Sequence, residues 1–339
     1  MNIQKNISLS KLTTMKLGGV ASFVVEIKSK IDIETAYLFA EKSQLSTYII
    51  SGGSNIVAKD EGFNGLILLN KITGITVVEK TDSGAMTLKI GSGEILDNVV
   101  SYTVKRGLTG MEALSSIPGT IGGAAIQNSG AYGQDISQII HSVEVFDTVK
   151  KEFKTLLKSD IKYGYRQSAF NSKDKGHYFI TAVCITLKTG EIKGELYRTL
   201  QHFLDTNNSA NRSPETIRNA VMSIRADKLP DPKIIPSAGS FFKNTMLTAE
   251  QAEEFKKTFP NMPIRKKGTG FEVSSGWLIE DAGLKGKLLH GMRVSDKAAL
   301  VLINESAKSY TDLDAARSEI IQTVRDKFGL ELAQEPEEL

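Results

Sequence analysis

The residues that could do chemistry lie in a few short stretches. Ile117-Pro-Gly-Thr-Ile-Gly-Gly-Ala-Ala-Ile-Gln-Asn-Ser-Gly-Ala-Tyr-Gly133 packs five glycines and one proline between two segments that read as regular structure. A loop of this length and composition is seldom a plain connector. Gly119, Gly122, Gly123, Gly130 and Gly133 carry no Cβ, so their N–H groups could approach a phosphate or a flat ring. That points to a bound cofactor; the competing reading is an ordered surface loop of unusual composition. Arg166 is framed by aromatics in Tyr163-Gly-Tyr-Arg-Gln-Ser-Ala-Phe170. It either stacks structurally or offers its planar fork to a carboxylate or phosphate. Ser240, in Ala238-Gly-Ser-Phe-Phe-Lys-Asn244, lacks the G-x-S-x-G elbow of a hydrolase nucleophile, and by itself reads as a turn or capping serine. His141, His177, His202 and His290 have no ligand spacing, so no metal site is expected.

These residues need elements to hold them. Residues 21 to 28 read as a strand, Asp32 as the cap of a helix to about Lys42, and Ser46 to Ile50 as a second strand ending at Ser51-Gly-Gly-Ser-Asn55. Asn64 to Leu69 is a further strand. Gly91-Ser-Gly-Glu-Ile-Leu96 precedes a helix from about Glu94 to Arg106, closed by Gly107, but Leu96 stands where a dinucleotide fingerprint needs its third glycine. A Rossmann site is therefore disfavoured. From Ile72 to Leu187 the pattern is mostly short strands, and Cys184 sits in one that reads as buried core. Helices dominate after Leu196: one to Leu204, one led by Ser213-Pro214 to about Ala226, one opened by the capping box Thr248-Ala-Glu-Gln251, and a last one opened by Thr311 and ended by Gly329. Arg265-Lys-Lys267 reads as a solvated turn. The texture changes near residue 200, which suggests a first region over 1–200, in lobes of about 1–70 and 71–200, and a second domain over 201–339.

Composition narrows the function. The 339 residues suffice for more than one core, and 24% charged with 40% hydrophobic residues is ordinary for a globular protein. A net charge of +3 is too mild to argue for nucleic acid. One cysteine permits no intrachain disulfide and suits a reducing compartment. No signal-like or membrane-spanning apolar run is visible, so a cytoplasmic protein without membrane insertion is expected.

Taken together, the two glycine stretches, the Arg166 segment, Lys228-Leu-Pro-Asp-Pro-Lys233 and Ala238-Gly-Ser-Phe-Phe-Lys-Asn244 resemble, in order, the motifs of the UDP-N-acetylenolpyruvoylglucosamine reductase family. The resemblance spans nearly the whole chain. It implies an α+β protein whose two-lobed FAD-binding region, of the vanillyl-alcohol-oxidase (PCMH) type, precedes a C-terminal α+β substrate-binding domain, with the active site between them. FAD, held non-covalently, would contact Gly52, Gly53, Ser54, Asn55, Pro118, Gly119, Gly122, Gly123 and Gly130. NADPH would be the co-substrate, and a UDP-sugar enolpyruvyl ether the substrate, in a monomer. The resemblance further implies that Arg166 polarises the substrate carboxylate, that Ser240 is the proton donor, and that Tyr197, Arg225, Lys228, Lys243 and Asn244 contact substrate. For the two basic residues Arg225 and Lys228, an exposed helix end is the competing reading. A third catalytic residue is a glutamate in the tail Phe328-Gly-Leu-Glu-Leu-Ala-Gln-Glu-Pro-Glu337. Counting without a gap from Phe328 gives Glu335; preserving Pro-Glu would give Glu337, and the ungapped count is adopted. Two other functions compete: another FAD oxidoreductase of this fold acting on a small alcohol or sugar, and a non-catalytic nucleotide-sugar binder.

Overall fold

The computed structural model describes residues 1–268 and 270–339. Contacts divide the chain into two compact units. The first comprises Met1–Ile7, Ala21–Gly52 and Asn64–Ala226; the second comprises Ser8–Val20, Gly53–Phe63 and Asp227–Leu339. No helix among the described residues is long and apolar enough to cross a membrane.

In the first unit, strands Ile3–Ser8, Val20–Ile27, Phe63–Asn70 and Ser46–Ile50 form a sheet in that order. The last two run parallel, with Ile50 opposite Leu69. Helix Lys30–Lys42 covers this sheet with Ile33, Ala36 and Ala40, spaced for one helical face, against Val25, Ile27, Leu66 and Leu68. Its cap is Ser29, not Asp32: the Ser29 hydroxyl accepts the Asp32 amide, and the Asp32 carboxylate returns to the Lys28 amide at 3.0 Å. Asp32 thus completes a reciprocal cap from the third helical position.

An antiparallel sheet of Glu152–Leu157, Ile140–Asp147, Tyr178–Thr189, Ala85–Gly91 and Ile75–Lys80 makes the larger part of the unit, with Leu108–Thr109 added on Tyr178–Thr189. Val183 lies opposite both Val143 and Ile90, and helix Leu96–Val104 packs Val99 and Val100 on this apolar layer. Cys184 is on the central strand as expected but only half-buried; burial pushes its thiol up, while Ser142 hydrogen-bonds it. The glycine-rich stretch is not all loop. Ile121–Gln127 is a short helix, capped by Thr120 and ended by Asn128 in the left-handed region. Its glycines conceal it because helix propensity is poor there, yet Gly122 is needed: a Cβ would lie 2.8 Å from both the Cβ and carbonyl oxygen of Ser92. Helices Arg198–Thr206 and Pro214–Lys228 bury Leu200, Leu204, Ile217, Val221 and Ile224 beside Ala113.

The second unit has a sheet in the order Ser237–Ser240, Val301–Asn304, Met292–Val294 and Leu288–Leu289, and another in the order Thr245–Leu247, Gly270–Val273 and Ile264–Lys267. Arg265-Lys-Lys267 is therefore strand, with Lys267 paired to Glu272 at 2.6 Å. The long helix Tyr310–Phe328 buries Leu313, Ala316, Ile320 and Val324. It opens one residue before the expected Thr311, with its cap two residues before. Ser309 caps it reciprocally with Asp312, and the Tyr310 and Thr311 amides go to the Asp60 carboxylate at 2.6 and 3.0 Å. Asp60 is 250 residues away in sequence, which is why no local signal marked this start.

Removing this cap should be measurable. Ser309→Ala is expected to cost about 1 kcal/mol of stability, whereas Thr311→Ala, which leaves the cap intact, should cost less; urea unfolding of the two variants checks the order.

Candidate functional site

In the first unit, strand Ser46–Ile50 delivers Ser51 and Gly52 to the start of the glycine-rich stretch. The two backbones touch: a Cβ on Gly52 would fall 2.6 Å from the Gly119 Cα, and Gly119 itself sits at φ +105°. The hydroxyls of Ser51 and Thr120 hydrogen-bond beside this contact at 2.6 Å. No side chain fits between the loops. The amides of Gly52, Gly119 and Thr120, and in the second unit those of Gly53 and Asn55, donate to no acceptor among the described residues. Within the first unit, unspent amides on the side-chain-free Gly52 and Gly119 suit an anionic dinucleotide such as FAD. Gly122 and Gly123 do not share this role through their amides. The Gly122 amide goes to the Ser92 carbonyl at 2.9 Å and the Gly123 amide to the Thr120 hydroxyl at 3.3 Å. Gly130 is likewise committed to packing, with Gln134 and Asp135 where its Cβ would be.

Arg166 stands in a tight turn, at φ +52°, between Gly164 and Gln167, which bridge each other. One guanidinium nitrogen donates to the Gly130 carbonyl at 2.9 Å, and the Tyr165 ring lies 5.3 Å from its carbon. The aromatic frame and the glycine stretch thus both hold it. A second cluster joins Tyr132, Tyr197 and Arg225. The two tyrosine rings meet edge to face at 6.0 Å, and Tyr197 caps its helix with 41% of its surface exposed. Arg225 is half-buried, and its Nε is out of solvent without a hydrogen-bond partner among the described residues. Burial depresses its basicity, countered by Tyr132 and Asp97. An orphaned guanidinium nitrogen is costly unless a ligand satisfies it. The Tyr163 hydroxyl is also buried without a partner among the described residues.

In the second unit, Ser240 ends a strand that bulges between Ser237 and its own pair with Val301. Gly239 makes the bulge at φ +73°, a conformation that disfavours side-chain-bearing residues. Ser240 is exposed, and its hydroxyl has no hydrogen-bond partner among the described residues. The C-terminal tail returns beside it. The Lys243 amide donates to the Ala333 carbonyl at 2.8 Å and the Glu335 amide to the Phe241 carbonyl at 2.9 Å, with Phe242 opposite Gln334. Glu335 is therefore aligned with Phe241, the neighbour of Ser240. Glu337 belongs to a different pairing, parallel to Ile56, and its amide goes to the Asn55 carbonyl at 2.9 Å. Asn244 accepts from the Ser275 amide through Oδ1 at 3.4 Å, which leaves its NH₂ as donor. Lys243 is half-buried, and Lys228 is exposed at the end of its helix.

The tail is locked at its last turn. Glu338 is held by Arg317, by the Tyr310 hydroxyl at 2.7 Å and by Lys59 at 3.3 Å, while Arg317 also reaches Gln334 at 2.6 Å. The Leu339 amide and carbonyl bond to Val57 and Lys59. Residue-by-residue reading of the sequence left out the groups that hold the candidates: Glu112, Gln134, Asp97, Arg218 and this lock. Arg218 grips Asp97 with two hydrogen bonds at 2.6 and 3.0 Å. Acidic and basic residues on helices ordinarily face solvent, so only contact across the fold reveals such pairs.

Residues 21–151 match the family described as "FAD binding domain". Residues 230–339 match "UDP-N-acetylenolpyruvoylglucosamine reductase, C-terminal domain". The chain is 36% identical to the UDP-N-acetylenolpyruvoylglucosamine reductase of Dechloromonas aromatica, a match covering 99% of each chain. To that of Neisseria gonorrhoeae it is 34% identical, covering 98% of this chain and 96% of the other. Among solved structures, UDP-N-acetylenolpyruvylglucosamine reductase (MurB) from Thermus caldophilus superimposes with a TM-score of 0.68 at 21% identity, covering 100% of this chain and 99% of that one, a likeness of fold.

Two outcomes follow from the loops and the tail. Gly52→Ala should weaken FAD retention and lower the melting temperature, because the new Cβ meets backbone that cannot step aside; apo-protein yield after gel filtration and a thermal scan read both effects. Burial would raise the Glu338 carboxyl, but the hydrogen bonds from Arg317 and Tyr310 outweigh it and hold it at about 2. Its contribution to stability is full above its unfolded value, near 4.5, and is lost as pH falls from there through about 2. Glu338→Gln should flatten that part of the acid-unfolding curve.

Proposed function

Because the chain belongs to the UDP-N-acetylenolpyruvoylglucosamine reductase family, we propose that it reduces UDP-N-acetylglucosamine enolpyruvate to UDP-N-acetylmuramate for peptidoglycan precursor synthesis, using FAD and NADPH. The observation that carries this reading is the 36% identity that runs end to end through both the FAD-binding and the C-terminal regions. A sugar or alcohol oxidase sharing only the cofactor region would not extend through the second. The functional division follows the same order, with cofactor binding within residues 1–200 and most of the substrate contacts within 201–339. The protein works as a cytoplasmic monomer. FAD stays non-covalent, since neither glycine stretch contains a histidine or cysteine that could form a flavin linkage.

When bound, FAD supplies hydride from N5 to the vinyl carbon C3 of the enolpyruvyl group. The protein's own residues manage the charge and the proton. Hydride addition at C3 loads negative charge onto C2 and the carboxylate, so donors preorganised there lower the barrier, each by roughly 3 to 4 kcal/mol in comparable sites. Arg166 is assigned to the carboxylate. Its guanidinium is already oriented by the Gly130 carbonyl, which supports a group that need not reorganise during reaction. Glu335 is assigned the role of a carboxyl that shares a hydrogen bond with the developing enolate. Its backbone pairing with Phe241 supports the ungapped position over Glu337.

Ser240 gives its proton to C2. An exposed hydroxyl with no partner among the described residues, on a strand end shaped by Gly239, suits that task. Lys228, Lys243 and Arg225 offer positive charge to the substrate diphosphate, and Asn244 and Tyr197 offer directional donors. The unpaired Nε of Arg225 supports a ligand role over an exposed helix end.

The roles separate by half-reaction. Ser240→Ala and Glu335→Gln should leave flavin reduction by NADPH nearly intact and slow reoxidation by the enolpyruvyl substrate by roughly 10²- to 10⁴-fold. Arg166→Lys should slow the same step. Glu337→Gln should stay within a few-fold of the parent. Stopped-flow absorbance resolves both steps; equal slowing of both by Ser240→Ala would make that serine structural, and damage from Glu337→Gln alone would move the catalytic glutamate.

A further inference from the structure

Glu112 is fully buried, yet the role assignments above leave it without a task. Its carboxylate accepts four hydrogen bonds: from the Thr109 hydroxyl at 2.7 Å, the Gly110 amide at 2.6 Å, the Met111 amide at 2.9 Å and the Gln134 side-chain amide at 3.1 Å. The first three are local and tie down its own turn. The fourth reaches 22 residues along the chain, and Gln134 answers by accepting the Ala113 amide at 2.8 Å. Gln134 is thus gripped at both ends of its amide.

The gripped residue is one leg of a two-residue hairpin. Gln134 pairs with Ala131 and Asp135 with Gly130, and the apex residues Tyr132 and Gly133 both have positive φ, 49° and 87°. That is the geometry of a type I′ turn, which glycine adopts freely and tyrosine does not. A strained tyrosine persists only where its surroundings over-determine it. Its two ends serve the site: the Gly130 carbonyl holds the Arg166 guanidinium, and the Tyr132 ring meets Tyr197.

We propose that Gln134, anchored on the buried Glu112 carboxylate, is a positioning residue that sets the hairpin and thereby aims Arg166 at the substrate carboxylate. Glu112 supplies a fixed acceptor in the dry interior; Gln134 converts it into a fixed hairpin; the Gly130 carbonyl passes that position to the guanidinium. The inference rests on the role given to Arg166 above. It assigns no contact between Gln134 and substrate.

Gln134→Met keeps the length of the side chain and removes both hydrogen bonds, leaving the three local bonds of Glu112 in place. The FAD-loaded variant should reduce with NADPH as the parent does, and reoxidise with enolpyruvyl substrate about 10- to 100-fold more slowly, the scale expected from misplacing a charged donor by a fraction of an ångström to an ångström. Substrate affinity, read from perturbation of the oxidised flavin spectrum without turnover, should weaken in parallel.

The decisive comparison is a double-mutant cycle with Arg166→Lys. If Gln134 acts through Arg166, Gln134→Met adds less than about twofold to the slowing and the weakened binding already caused by Arg166→Lys. Independent, multiplying effects overturn the relay, as does a Gln134→Met enzyme that reoxidises at the parental rate. Should Gln134→Met fail to fold, Gln134→Asn, which keeps the amide but shortens its reach, takes its place in the same cycle, and multiplying effects there overturn the relay equally. An Arg166→Lys enzyme with unchanged reoxidation would overturn the role of Arg166 itself, an outcome distinct from failure of the relay alone.

Discussion

Backbone touches backbone where Gly52 meets Gly119, and the cofactor region depends on that contact. With 2.6 Å between the position of a Gly52 Cβ and the Gly119 Cα, neither loop can carry a side chain into the junction. The loops are therefore held by what surrounds them: a parallel strand pair that delivers Ser51, the Ser51–Thr120 hydroxyl bond, and the short helix that Thr120 caps. Because the junction is bare backbone, the amides of Gly52 and Gly119 find no acceptor among the described residues. Bare amides of this kind suit an anionic ligand. The glycines further along do a different task. Gly122 allows its helix to settle on Ser92, so its absence of a side chain serves packing.

The second unit solves a different problem, that of bringing a chain terminus to a defined place. Termini fray unless they are tied down. Here Leu330 and Leu332 are buried in the core, residues 333 to 335 pair with 241 to 243, and 337 to 338 pair with 56 to 57. Glu338 then closes the tail with an ion pair and a tyrosine hydrogen bond. Antiparallel register leaves no freedom in which residue faces Phe241. Slipping the tail by one position would exchange the two faces of the pairing and expose the buried leucines. The placement of Glu335 is thus set by apolar burial on one side and by Glu338 on the other.

Polar groups inside the first unit show the same economy. Glu112, Gln134, Asp97 and Arg218 are all charged or amide side chains whose hydrogen-bonding capacity is taken up by defined partners. Such groups are expensive to bury and are retained where they specify one arrangement. Each of them ends on the segment between Thr109 and Gln134, which carries the glycine-rich stretch. Arg225 and Tyr163 are the exceptions, with polar atoms out of solvent and unpaired among the described residues.

Much of this was legible in the sequence, for reasons that are local. Alternation and helical spacing announced the strands at Ser46–Ile50 and Phe63–Asn70 and the helices at Pro214–Lys228 and Ala249–Thr258, because side-chain periodicity and capping chemistry act within a few residues. The order of the motifs announced the family and its cofactor. The chain by itself also supplied the ungapped count to Glu335. What it could not disclose is anything decided by contact between distant residues. Ser29 and Ser309 displaced the expected caps because Asp32 bonds back to Lys28 and because Asp60 arrives from far away to take two helix amides. The helix at Ile121–Gln127 forms against its own poor propensity, since burial on Ser92 and the neighbouring core outweighs it. Segments 8–20 and 53–63 join the second unit across the sequence. Local physics sets which elements exist; long-range packing and the need to satisfy buried polar groups set where they end and what they hold.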